Sequence, residues 1–263
     1  MEIRDKLIVI TGASSGIGRQ CAELFAKERA KVILLARRKD LLEEAALTIA
    51  QSGGFADYFK ADVTDYKDVE SIAVKIINKY GVPDVIFNNA GAGTWRFLDE
   101  SSYDEITASI AAPYLGAAYM TRAFLPDMLK RNSGLIINMS SFVAYLAFSG
   151  CTAYSTARWA MRGFHEALKA DLYSFKVRAM LVAFAKVDSS FWQNNLGSEE
   201  RLPKAQKYIP VITAQEAASY ILNGIKRDKT EVIEPFMSKI VLAMKYLFPS
   251  ITRLVMYKTG FSR

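Results

Sequence analysis

Gly12, Gly16 and Gly18 close a run from Leu7 to Gly18 that reads Leu-Ile-Val-Ile-Thr-Gly-Ala-Ser-Ser-Gly-Ile-Gly, and their spacing suits a phosphate-binding turn. Gly12 can turn tightly, Gly16 lets the backbone approach a phosphate with no Cβ in the way, and Gly18 lets a helix pack close to the strand. Ser14, Ser15 and Ile17 lie in the same turn. The ligand implied is a dinucleotide, with a phosphate on the helix N-terminus. Arg37 and Arg38 directly follow the second apolar run. An acid is expected there when the adenosine ribose carries a free 2′-hydroxyl, whereas arginine binds a 2′-phosphate through charge-assisted bonds. No acid stands at Ala36 or Arg37, so NADP(H) is expected rather than NAD(H). The plainer reading of Arg-Arg-Lys-Asp is a solvated charge run after a turn.

Such a turn works only between a buried strand and a helix. The five residues before Gly12 suit a buried strand, and the amphipathic pattern over 19–29 is helical. The same alternation continues with strands at 31–36, 55–60, 84–88, 134–140, 176–183 and 230–234. Helices at 40–52, 66–79, 102–131, 151–175 and 214–226 separate them. Near-continuously apolar strands alternating with helices imply an α/β fold, a doubly wound (Rossmann-type) seven-stranded parallel sheet with helices on both faces. Ligands in such a sheet gather at the carboxyl ends of the strands. Residues 1–235 read as one domain with a substrate lid at 188–209, and residues 236–263 as a basic amphipathic extension.

With 263 residues, 51% of them apolar, the chain can bury a large core. No repeat or Pro/Gly/Ser-rich linker divides it. Cys21 and Cys151, each expected in a helix, are too few and too isolated for a disulfide framework or a metal site, and no metal-ligand cluster occurs. Met1 leads through charged residues straight into the first strand, which leaves no room for a signal peptide. No run approaches about eighteen uninterrupted apolar residues. A reduced, cytoplasmic protein is expected. The net charge of +7 suits nucleic acid, anionic lipid or a phosphate-rich cofactor. The bases are spread along the chain and no nucleic-acid motif occurs, so no nucleic-acid partner is expected. His165, the single histidine, reads as packing on the helix after Tyr154.

Taken together, Thr-Gly-Ala-Ser-Ser-Gly-Ile-Gly at 11–18, Asp62-Val63 after the third strand and Asn88-Asn89-Ala90-Gly91 after the fourth form a familiar set. With Ser141 after the fifth strand and Tyr154 thirteen residues later, the chain resembles a short-chain dehydrogenase/reductase over roughly residues 5–190. The resemblance implies that Asp62 and Val63 hold the adenine, and that Asn88 with the Ala90-Gly91 turn shapes the cofactor floor. It implies that Ser141 holds the substrate oxygen and Tyr154 transfers the proton. Hydride addition to a carbonyl builds an alkoxide, which needs a nearby acid and an oxygen-binding donor.

Three departures from the family pattern stand out. Arg158 replaces the lysine expected four residues after the tyrosine, in Tyr-Ser-Thr-Ala-Arg. One helical turn brings its charge beside Tyr154, where it favours tyrosinate and reaches a ribose hydroxyl, but arginine does not readily pass a proton. Counting back from Tyr-Met-Thr-Arg-Ala-Phe-Leu-Pro at 119–126, the helix asparagine of the family falls at Pro113. Proline should kink the helix and free the carbonyl of Ser109, which with the Ser109 hydroxyl would hold the water an asparagine otherwise positions. After the sixth strand, Phe184-Ala185-Lys186 replaces a Pro-Gly turn, while Val187 and Ser189 keep the kind of residue that meets the carboxamide and phosphates.

The lid holds Phe191, Trp192, Leu196, Leu202 and Tyr208, and near the same mouth fall Trp95, Phe97, Phe142, Tyr145, Leu146 and Phe148. They predict an apolar, aromatic pocket for a bulky hydrophobic or lipid-like substrate. From Pro235 to Arg263 there is no acid and there are five bases, Lys239, Lys245, Arg253, Lys258 and Arg263. Two short amphipathic helices split at Pro249 are expected there, for peripheral contact with an anionic membrane or as a dimer interface or lid. A homo-oligomer is expected. Two functions stay open: an NADP-dependent oxidoreductase using Ser141, Tyr154 and Arg158, or a cofactor-binding protein that has lost redox turnover or runs a non-redox reaction such as cyclisation.

Overall fold

The computed structural model describes residues 1–262, so the expected base Arg263 lies outside the described residues. The chain begins with strand β1 (Leu7–Thr11), buried along its whole length, and runs through the glycine turn into α1 (Gly16–Lys27). Then follow β2 (Lys31–Ala36), α2 (Lys39–Gln51), β3 (Phe55–Lys60), α3 (Tyr66–Tyr80) and β4 (Val85–Asn88). Helix α3 starts where the Asp65 side chain accepts from the Lys67 N–H, satisfying a donor that the first turn leaves free.

The helix expected over 102–131 is interrupted. Helix α4 (Tyr103–Ile110), opened by a Ser102/Glu105 capping box, passes through a π-helical segment at Ala111–Leu115 into α5 (Gly116–Arg131). Pro113 sits in that segment, and the Gly116 N–H reaches back five residues to the Ala111 carbonyl. A proline has no N–H for the carbonyl one turn earlier, so the helical ladder must change register there. The expected interruption is present, and its form is a widened turn.

The rest of the chain supplies β5 (Gly134–Met139), α6 (Thr152–Asp171), β6 (Val177–Phe184) and a short β7 (Val187–Asp188). A four-residue α7 (Phe191–Asn194) lies in the lid, and β8 (Ile212–Thr213) closes it. Then come α8 (Ala214–Lys226), β9 (Glu231–Glu234), α9 (Phe236–Leu247) and α10 (Pro249–Thr259). Cys151 is the residue that caps α6, not a helical residue as expected. Both cysteines are free and buried.

Seven strands form one parallel sheet in the order β3-β2-β1-β4-β5-β6-β9. On one face, Ile8 and Ile10 of β1 pack with Cys21 and Phe25 of α1, Leu42 of α2 and Ile221 of α8. On the other, Val9 packs with Ile72 and Ile76 of α3, Phe124 of α5 and Leu168 of α6. Alternate residues of one strand thus feed two cores, and each fully buried large side chain contributes about 2 kcal/mol. The strand order reverses between β1 and β4, the place where a doubly wound sheet leaves a crevice. Strands β7 and β8 pair in parallel away from the main sheet, Val187 with Ile212 and Asp188 with Thr213. They fasten the two ends of the lid to each other.

Candidate functional site

A cleft of about 540 Å³ opens over the carboxyl ends of β1, β2, β4, β5 and β6. Its nucleotide end is built by the glycine turn. Gly12 and Gly16 take positive φ angles of 66° and 56°, and a Cβ on Gly12 would lie 2.9 Å from the Ala90 Cα. Gly12, Ser14, Ser15, Gly16 and Ile17 all line the cleft. Gly18 does not; a Cβ there would come within 2.5 Å of the Gly12 carbonyl oxygen and the Asn89 side chain, so it lets α1 begin close against the strand.

Arg37 and Arg38 reach the same end, as do Asp62 and Val63. The Arg38 guanidinium donates to the Ser14 Oγ at 3.2 Å and the Ser15 Oγ at 2.9 Å. Two hydroxyls and a cation therefore converge where a phosphate would bind. Burial by itself would raise the Asp62 pKa. The Thr64 backbone N–H and hydroxyl, at 3.0 and 2.7 Å, together with the nearby Arg37 charge, outweigh it and hold the carboxylate below its ordinary value. Asp62 is thus an ionised acceptor.

Ala90 and Gly91 form part of the floor, but Asn88 does not reach the cleft. Its amide donates to Thr121 at 3.1 Å and Asn138 at 2.9 Å, a buried network that ties β4 to α5 and β5. The neighbour Asn89 takes the cleft position instead and donates to the carbonyls of Thr11 (3.0 Å) and Gly12 (3.2 Å). An Asn-Asn pair at a strand end shows the motif, and strand alternation decides which member faces the cleft.

At the other end stand Ser141, Tyr154 and Arg158. Tyr154 and Arg158 are one turn apart on α6, and the guanidinium carbon lies 4.9 Å from the centre of the tyrosine ring. Arg158 is only 4% exposed and has no ion pair among the described residues. It donates to the Met139 carbonyl at 3.2 Å, while its Nε has no partner. Gly91 makes room for it, since a Cβ there would come within 2.8 Å of a guanidinium nitrogen. Ser140, not foreseen as a site residue, anchors this turn of α6 by donating to the Arg158 carbonyl at 3.1 Å. Ser141 makes only a long 3.5 Å contact to the Phe184 carbonyl, which leaves its hydroxyl free to meet an oxygen in the cleft.

Trp95, Phe148, Phe191 and Trp192 crowd around the tyrosine, with Trp95 5.5 Å and Phe191 5.9 Å from its ring centre. Phe142, Leu202, Val187 and Ser189 also line the cleft. Five residues expected at the mouth lie elsewhere. Tyr145 and Leu146 are in the core behind it, with the Tyr145 hydroxyl donating to Glu231. Phe97 packs on Phe261, and Leu196 and Tyr208 are exposed. Cys151 lies among the aromatic side chains, but burial pushes its thiol up to about 11, so it stays protonated.

The lid is stitched across the mouth by two residues that local sequence does not single out. The Gly93 N–H donates to the Asn195 Oδ1 and the Trp95 N–H to the Ser198 Oγ, both at 3.0 Å. Their partners lie about a hundred residues away, so no short motif marks them. A dinucleotide fits this donor set. The glycine turn leaves space that any side chain would fill, cation and hydroxyls meet at one end, and a buried guanidinium with a free Nε waits at the other.

A family model described as short chain dehydrogenase matches residues 6–200. The chain is 30% identical over 266 aligned residues to a fatty acyl-CoA reductase of Acinetobacter baylyi, covering 95% of this chain and 88% of that one. It superposes with a TM-score of 0.85 on a short chain dehydrogenase/reductase of Burkholderia phymatum in complex with NAD, at 24% identity over 96% of this chain and 97% of the other. An alcohol dehydrogenase from Thermococcus sibiricus, complexed with 5-hydroxy-NADP, matches with a TM-score of 0.77 and 28% identity over 87% and 95% of the two chains.

Proposed function

Since the chain belongs to the short-chain dehydrogenase family, we propose that it is an NADP-dependent oxidoreductase that interconverts a bulky hydrophobic ketone and its alcohol. The observation that carries this reading is the buried, unpaired Arg158 guanidinium set against Tyr154 beside Ser141, inside an aromatic wall. The apolar wall supports an apolar substrate, as does the likeness to a fatty acyl-CoA reductase.

The Gly12–Gly16 turn, Arg38 with Ser14 and Ser15, Asp62, and Arg158 are the residues that would hold the nicotinamide dinucleotide. When bound, it supplies or accepts the hydride. Tyr154 gives its hydroxyl proton to the oxygen of the carbonyl being reduced, and takes it back in the reverse direction. Arg158 stabilises the tyrosinate left behind, because a fixed positive charge in a buried site is weakly screened. Ser141 donates a hydrogen bond to the oxygen as negative charge builds on it. Trp95, Phe191 and Trp192 exclude water from this exchange and hold the substrate's apolar part.

The test is NADPH absorbance during incubation of the pure protein with a panel of bulky ketones, with Tyr154→Phe and Arg158→Lys in parallel. Consumption that falls about a hundredfold or more in Tyr154→Phe, with NADPH binding retained, supports the reductase. If NADPH binds and is never consumed, and Arg158→Lys does not restore consumption, the site serves binding or a non-redox reaction such as cyclisation.

A further inference from the structure

We infer that the C-terminal helix pair α9–α10 is a docking surface for an anionic lipid membrane, lying flat on it without crossing. No helix among the described residues is long and apolar enough to span a bilayer. On α9, Met237, Ile240, Met244 and Leu247 recur at the three- and four-residue spacing of one helical stripe, and all are exposed. On α10, Ile251, Leu254 and Val255 do the same. These seven side chains leave between 37% and 72% of their surface open, although a stripe at this spacing ordinarily faces a core.

The inward side carries a second apolar set: Val241 and Leu242 of α9 pack against the core cluster that holds Met256 of α10. Ser238 is the buried residue of α9, and its hydroxyl has no partner; α10 buries Thr252 beside Met256. A helix pair with one apolar set already in the core and a second apolar stripe left outside needs a second apolar phase for that stripe. A polar contact ties the pair to the body of the protein, where Lys245 donates to the Tyr145 carbonyl, while Thr252 donates within its own helix to the Phe248 carbonyl at 3.1 Å.

Charge decides what covers the stripe. Residues 235–262 contain no acid. Lys239 pairs with Glu234, whereas Arg253 and Lys258 are exposed beside Leu254 and Val255 and make no ion pair among the described residues. A two-fold contact through the same patch would set these cations near their own copies, with no carboxylate in the segment to meet them. Anionic headgroups meet them directly while acyl chains receive the apolar stripe. The pair also adjoins the lid. Helix α10 packs against the lid segment Lys204–Tyr208, and Phe261 packs on Phe97. That position suits an apolar substrate, but the docking does not rest on the reaction proposed above.

The experiment is co-sedimentation of the full chain with vesicles of phosphatidylcholine alone and of phosphatidylcholine mixed with phosphatidylglycerol, at low and high salt. Sedimentation velocity of the protein without vesicles runs beside it, and circular dichroism checks that each variant is folded. Partition onto the anionic vesicles is expected to exceed that onto neutral ones by about tenfold or more, and to weaken with salt. The pair Arg253→Ser with Lys258→Ser lowers anionic binding about thirtyfold and leaves neutral binding unchanged. The pair Leu247→Glu with Leu254→Glu lowers it at least about tenfold. Absence of vesicle binding overturns the inference, as does binding that ignores both lipid charge and the two cations. A dimer that the Leu247→Glu, Leu254→Glu pair dissolves, without vesicle binding, assigns the face to a second copy of this chain.

Discussion

A guanidinium taken out of water without a carboxylate is destabilising by several kcal/mol, and Arg158 is held with one carbonyl acceptor and a free Nε. The Tyr154 ring 4.9 Å away offsets only about 1–2 kcal/mol of that cost, which fits a residue that serves what would enter the cleft. Arg158→Met should therefore raise the stability of the free protein by about 1–3 kcal/mol in chemical denaturation, while turnover of NADPH falls at least about a hundredfold. Loss of stability together with activity would instead mark Arg158 as a structural residue. At the other end of the cleft, Arg38 is already engaged with Ser14 and Ser15. Arg38→Ala should raise the KM for NADPH about tenfold or more and leave that for NADH nearly unchanged, as measured by parallel titrations. The Arg37-Arg38 pair was legible from its place after a strand, and so were Ser141, Tyr154 and Arg158. Asn89 was hidden by its neighbour Asn88, because only the pleat of β4 and the turn after it decide which amide faces the glycine turn.

Two elements beyond the regular alternation shape the site, the segment from Gly91 to Trp95 and the lid above it. Gly93 has a φ of 152°, and a Cβ there would sit 2.7 Å from the Tyr154 ring. Gly93→Ala should therefore push the ring from its place, lowering kcat by about tenfold to a hundredfold and costing about 1–3 kcal/mol of stability, read by steady-state kinetics and thermal unfolding. The glycine is visible in the sequence, but its reason is not, since Tyr154 arrives from α6, which follows the next strand, β5. The lid's apolar content was equally visible. Its pairing through β7 and β8 was not, because two-residue strands leave no periodicity to read. Likewise, Pro113 announced that a helix must break, while the choice of a π turn over a sharp kink depended on how α4 and the π-helical segment pack on α6.

Across the whole molecule, one buried group ties stability to mild acid. His165 is 1% exposed on α6, and desolvation lowers its pKa to about 4, with Glu166 opposing and Lys169 reinforcing the shift. Its folded value lies below the ordinary one of about 6.5, so the unfolded chain binds the proton more readily between those values. The stability is present above about pH 6.5 and is lost as pH falls toward 4. Wild-type protein should lose roughly 2 kcal/mol more than His165→Met between pH 7 and pH 5, by urea unfolding at each pH. Carboxylates held below their ordinary values, such as Asp57 and Asp62, respond at lower pH and leave this window to the histidine.

What the chain determined by itself is whatever local sterics and periodicity dictate. Apolar runs of strand length, amphipathic helices and a glycine turn that tolerates no Cβ specify the seven strands, the order of helices and the place where a phosphate would bind. Those features depend on neighbours within a few residues, and they survive being read one after another. The tertiary structure decided the rest. It chose Asn89 over Asn88, sent Tyr145 into the core to meet Glu231, joined Gly93 and Trp95 to Asn195 and Ser198, and turned the stripe of α9 outward. Each of these is a contact, or the lack of one, between segments far apart in the chain, where the free energy of burial and pairing depends on the partner and not on the pattern.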